Sequence, residues 1–137
     1  MRIRRMCNRD FSSMFRVWKR AGLDLSSIAV ERYETKEMLR INTKTCFVAV
    51  NGKVVGTVFG VYNGRRAWIH HLAVDPDYQG NGVGSALLGK AEVALKGVGA
   101  RKVLLFVNHT NKRVKAFYRK QGYTEPNEAV WMRKVLK

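Results

Sequence analysis

The middle of the chain alternates between short apolar runs and turns built from asparagine and glycine. Three apolar runs, residues 45–50, 53–62 and 67–74, follow one another, and Asn51-Gly52 and Asn63-Gly64 separate them. Asn-Gly between two apolar runs is a strong signal for a two-residue hairpin turn. The pattern therefore predicts three consecutive antiparallel strands.

Helical spacing precedes these strands. Residues 2–6 are expected to form a short first strand, and a helix with Asp10 as N-cap and Gly22 as its stop follows. Its apolar face recurs at helical spacing and consists of Phe11, Met14, Phe15, Trp18 and Ala21. Residues 23–34 are weakly periodic and predict a loop with a turn of helix, and residues 35–42 predict a second short helix.

The pattern changes again after the three strands. A helix is expected after Gly84 and should end near Gly97 or Gly99. The continuous apolar run 103–107 predicts a strand buried on both faces, as parallel strands usually are, so the third antiparallel strand, the helix and this strand form a right-handed βαβ crossover. Thr110 is expected to cap a further helix that Gly122 closes, and residues 122–124 and 129–136 predict a terminal hairpin.

A glycine-rich turn joins the third antiparallel strand to the helix that follows it. Asp75-Pro76-Asp77 ends the strand, because proline has no amide hydrogen to give to a sheet. Residues 79–85 then hold three glycines in five positions at a predicted helix N-terminus. Backbone amides and the positive end of the helix dipole can bind a phosphate there, although a tight turn alone also explains the glycines. Neither the P-loop nor the dinucleotide fingerprint matches the spacing.

Length and composition limit the classes of protein that remain. We expect one domain over residues 1–137, globular because the chain is 46% hydrophobic. No apolar run is long enough to span a membrane. Cys7 and Cys46 have no metal-ligand spacing and suggest reduced core residues of a cytoplasmic protein without a metal site. The net charge of +16 attracts anions, but the scattered lysines and arginines favour a solvated surface over nucleic-acid binding.

Two motifs resemble those of the GCN5-related N-acetyltransferase (GNAT) family. Motif A of that family, [Q/R]-x-x-G-x-[G/A], is matched by Gln79, Gly82 and Gly84. The second signature, N-x₅-F-Y-x₃-G-[F/Y], is matched from Asn111 to Tyr123. The resemblance extends over nearly the whole chain and implies the family's α/β fold, a central mixed sheet of about six to seven strands flanked by about four helices.

The resemblance also implies a reaction and a cofactor site. Acetyl-CoA is the expected donor, and the expected acceptor is a primary amine of a small molecule or peptide that attacks the thioester directly. In the family the pyrophosphate rests on the turn and the pantetheine arm binds the preceding strand, so the implied cofactor-binding residues are Leu72, Ala73, Val74, Gln79, Gly80, Asn81, Gly82, Val83, Gly84, Ser85, Asn111 and Phe117. A backbone amide near Leu72 or Ala73 would stabilise the oxyanion. The 3′-phosphate is expected near Lys112, Lys115 or Arg119.

The resemblance implies a general acid for the reaction but does not identify the general base. Tyr118 matches the family's general acid, which protonates the departing thiolate, whereas packing alone explains Phe117 as well as cofactor contact does. The glutamates that serve as bases in family members are replaced here by Trp68 and Phe106. His70 and His71 are expected on opposite faces of the strand unless a bulge intervenes. Either histidine could instead be a packed, hydrogen-bonded residue of the strand. If one of them is the base, His70 is favoured, with a water wire equally open.

Three functions are compatible with these features. The first is an amine N-acetyltransferase, and the second is a non-catalytic acyl-CoA-binding regulatory module, which would not need Tyr118. The third, a basic nucleic-acid-binding domain, would require a clustered basic face that the sequence does not predict. A homodimer is a further expectation, because dimers are common in the family.

Overall fold

The computed structural model describes all 137 residues. The chain forms two compact units, Met1–Leu105 and Phe106–Lys137. The single domain expected over residues 1–137 stays a prediction. The first unit contains, in chain order, β1 (Arg2–Arg5), α1 (Phe11–Arg20), α2 (Ile28–Ile41), β2 (Cys46–Val50), β3 (Val54–Tyr62), β4 (Ala67–Val74), α3 (Val83–Gly97) and β5 (Val103–Leu104). The second contains α4 (Lys112–Lys120).

The five strands form one mixed sheet in the order β1-β2-β3-β4-β5. The strands β1 to β4 pair antiparallel with one another, and β4 and β5 are parallel. Both predicted hairpins are confirmed. Gly52 and Gly64 adopt positive φ angles of 71° and 91°, which glycine adopts without steric cost. The Asn63 side chain also accepts hydrogen bonds from the amides of Arg65 and Arg66.

Helices cover the two faces of β3. Successive side chains of a strand point to opposite sides, so each helix contacts a different set of β3 residues. Thr57 and Phe59 contact Trp18 of α1. Gly56 and Gly60, on either side of this pair, face the other way and lie against α3, where their missing side chains leave room for leucines of that helix. The sheet is therefore a middle layer, with α1 on one face and α3 on the other.

The core on the α1 side is built around Trp18, whose side chain is fully buried. Its ring packs edge-on or tilted against Phe11 and Phe59. The indole Nε1–H donates a 2.8 Å hydrogen bond to the Thr57 hydroxyl. The predicted apolar face of the first helix is confirmed, and its one polar atom is satisfied by a buried threonine, as a buried indole requires.

Two helix starts differ from the sequence predictions. Asp10 does not cap α1 through its side chain. Its carboxylate instead accepts hydrogen bonds from Arg4 and from the Cys7 amide. α2 begins at Ile28, seven residues earlier than predicted, because the Ser27 side chain accepts a bond from the Val30 amide. The weak periodicity of residues 23–34 concealed this cap.

The end of the chain also differs. The predicted strand 103–107 has only two paired residues, Val103 and Leu104, and both are half-buried rather than fully buried. Residues 124–137 contain no strand, so the predicted terminal hairpin does not form. Strand propensity reflects packing on a pleated, half-buried surface. These residues have no neighbouring strand, and the apolar side chains Val130, Trp131, Met132, Val135 and Leu136 are exposed. The sheet accordingly has five strands, not six or seven.

A buried carboxylate connects α1 to the end of β4. Asp75 is 1% exposed, and its amide donates to the Val55 carbonyl. Its side chain accepts bonds from Arg16, from Arg20 and from the Asp77 amide. Burial opposes ionisation of Asp75, but these donors outweigh it and hold the pKa of the carboxyl below its usual range. The interaction fixes the point at which the glycine-rich turn begins.

Replacing Gly60 by alanine should destabilise the sheet. The added Cβ would lie 2.6 Å from the Thr45 carbonyl oxygen and 3.2 Å from a Leu95 methyl carbon. Overpacking of this kind costs about 1–3 kcal/mol. Urea unfolding should show the loss as a lower midpoint with an unchanged slope. The matched control is Gly89→Ala in α3, where no atom lies within 4 Å of the new Cβ. It should raise the free energy of unfolding by about 0.5–1 kcal/mol, and equal effects of both variants would contradict this packing.

Replacing Asp75 by asparagine should make the free energy of unfolding depend less on pH in the acid range. A carboxyl whose pKa is lowered on folding stabilises the folded state above its unfolded pKa of about 4, and the stabilisation disappears as pH falls. Asp75→Asn should therefore lower the free energy of unfolding by about 1–3 kcal/mol at pH 7. The difference from the unmodified protein should shrink below about pH 4. Asp77→Asn, which removes an exposed partner of Arg20, is the control and should change little.

Candidate functional site

The glycine-rich turn lies where β4 ends and α3 begins. Gly80 and Gly82 both have left-handed backbones, with φ angles of 82° and 81°, and Gly82 is the N-cap of α3. The first intrahelical bond runs from the Ala86 amide to the Gly82 carbonyl. The amides of the first turn of a helix have no carbonyl of their own helix to bind. The turn therefore offers backbone donors and the positive end of the α3 dipole at one place.

The turn is open on its outer side. Apart from the adjacent residues of the chain, no protein atom lies within 4 Å of the positions that a Cβ would occupy at Gly80 and Gly82. Asn81 between them is exposed, whereas Val83 is buried and anchors the start of α3. Gly84 and Ser85 continue the first helical turn and are half-buried. An anion can reach these backbone amides because Gly80 and Gly82 have no side chains to block its approach.

Gln79 has a role that the motif does not specify. Its side-chain amide donates a 2.9 Å hydrogen bond to the carbonyl of Val74, the last residue of β4. The bond connects the end of the strand to the first residue after the Pro76–Tyr78 helical turn. Gln79, although exposed, therefore helps to fix the shape of the turn through this bond to the backbone. The sequence grouped it with the residues that contact the cofactor.

A bulge interrupts β4 directly before the turn. Thr57 of β3 pairs with Ala73 and Phe59 pairs with His70, so two residues of β4 oppose the single residue between them on β3. His71 lies in the bulge with a φ of +46°, the only positive φ outside glycine. Bulges re-aim side chains and stop regular pairing, and they are frequent next to active sites. Leu72 is half-buried here, while Ala73 returns to the buried side.

The bulge places the two histidines in different surroundings. The His70 side chain is exposed. Partial desolvation, and then the neighbouring His71, lower the pKa of His70 below its ordinary value, which favours the neutral imidazole. The His71 ring instead packs 4.5 Å from Trp18 and 5.7 Å from Phe59. Its Nε2 lies 2.9 Å from a carboxylate oxygen of Glu31.

Glu31 was not among the site residues predicted from the sequence. It is buried on α2, and its second oxygen accepts a bond from the Ser26 amide. The signal that could have found it is spacing. Glu31, Thr35 and Leu39 recur every four residues and form the buried stripe of α2. A carboxylate in such a stripe requires an internal partner.

The second unit carries the remaining predicted site residues. Tyr118 lies on α4, with Phe117 and Tyr123 edge-on to its ring. Burial raises the pKa of the Tyr118 phenol to about 12, so the hydroxyl keeps its proton throughout the physiological range. Phe117 is half-buried and packs on Tyr118, which accounts for its place in the motif. Phe106, at the position of one family glutamate, is exposed and lies 5.4 Å from the Trp131 ring.

Asn111, and not Thr110, caps α4. Its side chain accepts a 3.1 Å hydrogen bond from the Val114 amide. Two of the three cations expected near the 3′-phosphate already have an acidic partner, since Lys115 and Arg119 both bind Glu125 at 2.9 Å. The third candidate, Lys112, is exposed. The structure thus gives Asn111 and two of these cations partners within the second unit.

Metal ligands, membrane-spanning helices and reactive thiols are the remaining features that bear on function. No group of three or more His, Cys, Asp or Glu side chains is arranged to hold a metal ion. None of the helices combines the length and the apolar character needed to cross a membrane. Both cysteines are free thiols. Burial raises the pKa of the Cys46 thiol to about 12, whereas Cys7 is half-buried next to Asp10, so the prediction of a core position is wrong for Cys7.

Solved structures of other proteins share the fold of this chain. Ard1 from Thermoplasma volcanium is 26% identical to the chain, with a TM-score of 0.79 over 90% of this chain and 82% of that one. The ribosomal-protein-S18-alanine N-acetyltransferase from Escherichia coli is 25% identical, with a TM-score of 0.75 over 92% and 79%. An aminoglycoside 6′-N-acetyltransferase from Acinetobacter haemolyticus shares the fold at 18% identity, with a TM-score of 0.81 over the full length of both chains.

The sequence also matches a family model. The model of the acetyltransferase (GNAT) family covers residues 4–123, which include the bulged strand, the glycine-rich turn and the Asn111–Tyr123 signature. This match confirms the family to which the two motifs pointed. The protein belongs to the acetyltransferase (GNAT) family.

Proposed function

We propose that the protein transfers an acetyl group from acetyl-CoA to a primary amine. The observation that carries the proposal is the open glycine-rich turn at the N-terminus of α3, directly after the bulge in β4. In a GNAT family member this is the expected place for the pyrophosphate of CoA. Glycine backbones without flanking side chains fit that group, because they let phosphate oxygens approach the amides closely.

The donor would be bound mostly by backbone. The amides from Gly80 to Ser85 would receive the pyrophosphate, and the backbone of Leu72, Ala73 and Val74 would pair with the pantetheine arm as an added strand does. The Val74 carbonyl already accepts a bond from Gln79, so Leu72 and Ala73 are the freer positions for the arm. The Asn111 side chain is engaged in its cap and would need its amide nitrogen to contact the arm.

The chemistry needs an oxyanion donor, an acid and a base. The amine nitrogen attacks the thioester carbonyl, and a backbone amide at Leu72 or Ala73 stabilises the negative oxygen. When the C–S bond breaks, Tyr118 gives its proton to the sulfur, and its raised pKa ensures that the proton is present. For the base, the sequence favours His70 or a water, and a lowered pKa keeps His70 neutral and able to accept a proton.

The acceptor can be narrowed by the comparisons. Ard1 and the S18-alanine N-acetyltransferase are the two relatives of 25% identity or more described above, and the latter acts on a ribosomal protein. This supports testing a peptide amine first, with small amines beside it. A reducing compartment, the cytoplasm, is the place of action that the free thiols of Cys7 and Cys46 support. A homodimer stays a prediction.

A regulatory module that binds acyl-CoA without catalysis is the alternative. It would use the glycine-rich turn but would have no need for a phenol with a retained proton. The presence of Tyr118 in the full signature favours the enzyme. Binding of acetyl-CoA alone does not separate the two functions, whereas thiol release that depends on an amine does.

Replacing Tyr118 by phenylalanine should slow transfer without weakening donor binding. The variant lacks only the proton for the departing thiolate, and general acid catalysis contributes about 10²–10⁴-fold. Release of CoA thiol in the presence of a panel of peptide and small amines should fall by that factor. The dissociation constant of acetyl-CoA, measured by calorimetry, should stay the same.

Tyr123→Phe is the matched control. It removes a hydroxyl from the neighbouring ring, at a position where the family signature accepts either residue. It should retain transfer. An unmodified protein that binds acetyl-CoA but releases no thiol with any amine would support the regulatory module. Equal rates for Tyr118→Phe and Tyr123→Phe would remove Tyr118 from the mechanism.

A further inference from the structure

We propose that His71, and not His70, is the general base of the transfer, and that Glu31 is a positioning residue that holds it. The proposal rests on the proposed function, since it assigns a proton acceptor to that same reaction. It draws on the bulge in β4, the Glu31–His71 hydrogen bond and the exposure of the remaining ring nitrogen. None of these features belongs to the two motifs.

The hydrogen bond from Glu31 determines which nitrogen of His71 carries the proton. Nε2 lies 2.9 Å from the carboxylate oxygen of Glu31, which is 6% exposed. A carboxylate can only accept hydrogen bonds, so the neutral imidazole must place its hydrogen on Nε2. Nδ1 is then left with the lone pair. The second Glu31 oxygen is held by the Ser26 amide, which fixes the direction of the carboxylate.

Nδ1 of His71 is available to a substrate. No hydrogen bond joins it to another protein group, and no buried side-chain nitrogen or oxygen lacks a partner. Nδ1 therefore reaches the surface, in agreement with a side chain that is 25% exposed. The ring itself is held edge-on to Trp18 and Phe59, so its orientation is set before a substrate arrives.

The backbone at His71 is unusual in a way that fits a functional position. A φ of +46° is uncommon for any residue but glycine, and such residues gather at active sites. The Thr57 hydroxyl donates a 2.8 Å bond to the His71 carbonyl and supports this conformation. His71 directly precedes Leu72, whose amide is one of the two candidates for the thioester oxyanion. His70, in contrast, is exposed and has no carboxylate to orient it.

Every proton of the proposed reaction has a donor and an acceptor. Nδ1 of His71 takes one proton from the acceptor ammonium and leaves a neutral amine, whose nitrogen forms the C–N bond. The C–S bond breaks, and the thiolate takes the proton of Tyr118. The new amide nitrogen gives its remaining excess proton to the Tyr118 phenolate. The imidazolium of His71 then releases its proton to water, so one proton leaves for each acetyl group transferred.

His71→Asn is the first test. Asparagine tolerates a positive φ, so the bulge should persist, but it cannot accept the ammonium proton. The turnover rate, measured as amine-dependent thiol release, should fall by about 10²–10⁴-fold while acetyl-CoA binding is retained. His71→Gly, which also suits a positive φ, should be equally slow, and added imidazole should restore part of the rate. If a variant is slow only because packing is lost, added imidazole should not restore its rate.

Glu31→Gln tests the positioning role. The glutamine amide can donate to Nε2, which would move the ring hydrogen to Nδ1 and remove the lone pair that accepts the proton. We expect a lower turnover rate with an unchanged acetyl-CoA dissociation constant. Nitrogen NMR of the histidine rings should show His71 protonated at Nε2 in the unmodified protein and at Nδ1 in Glu31→Gln. The control, Glu34→Gln, makes the same change at an exposed position of α2 and should alter neither.

Two results would overturn the proposal in distinguishable ways. If the unmodified protein transfers acetyl groups and His71→Asn is equally fast, or if His70→Asn alone loses the rate and regains it with imidazole, the base assignment is wrong while the proposed function survives. If the unmodified protein releases no thiol with any amine, the transfer itself is absent and both proposals fail together.

Discussion

The Thr57 hydroxyl accepts a hydrogen bond from the Trp18 indole and donates one to the His71 carbonyl, both at 2.8 Å. Through one buried oxygen it joins α1, β3 and the bulge of β4. A hydroxyl can donate once and accept at the same time, so both neighbours are satisfied in an otherwise apolar layer. At the bulge, β4 gives up regular pairing with β3. The bulge therefore depends on the Thr57 hydroxyl, which donates to the His71 carbonyl there.

The consequences of the bulge extend in both chain directions. Before it, β4 pairs regularly with β3 and, at Ala67 and Trp68, with β5. After it, Asp75 fastens the end of the strand to two arginines of α1, and Gln79 holds the turn that leads to the glycines. Side-chain hydrogen bonds and ion pairs thus determine where the backbone donors of the turn are presented. The net charge of +16 adds a general attraction for anions, but these local contacts give the turn its geometry.

Features that depend on local sequence could be predicted. The two Asn-Gly hairpins, the extent of β4 and the glycine turn before α3 follow from short-range pattern and backbone preference, and the structure confirms them. Features that depend on tertiary pairing could not be. The bulge at His71, the burial of Glu31 and the anchoring of Asp75 each need partners 14 to 59 residues away in the sequence. The terminal hairpin failed for the same reason, since propensity alone does not supply an adjacent strand.

The most direct test of the account is calorimetric binding of acetyl-CoA, compared with CoA that lacks its 3′-phosphate, at two salt concentrations. If the pyrophosphate rests on backbone amides of the turn, binding should be saturable at one site and should persist at the higher salt. Loss of the 3′-phosphate should weaken binding without abolishing it. Absence of binding, or binding that the higher salt removes entirely, would mean that the charged surface and not the glycine-rich turn attracts the ligand.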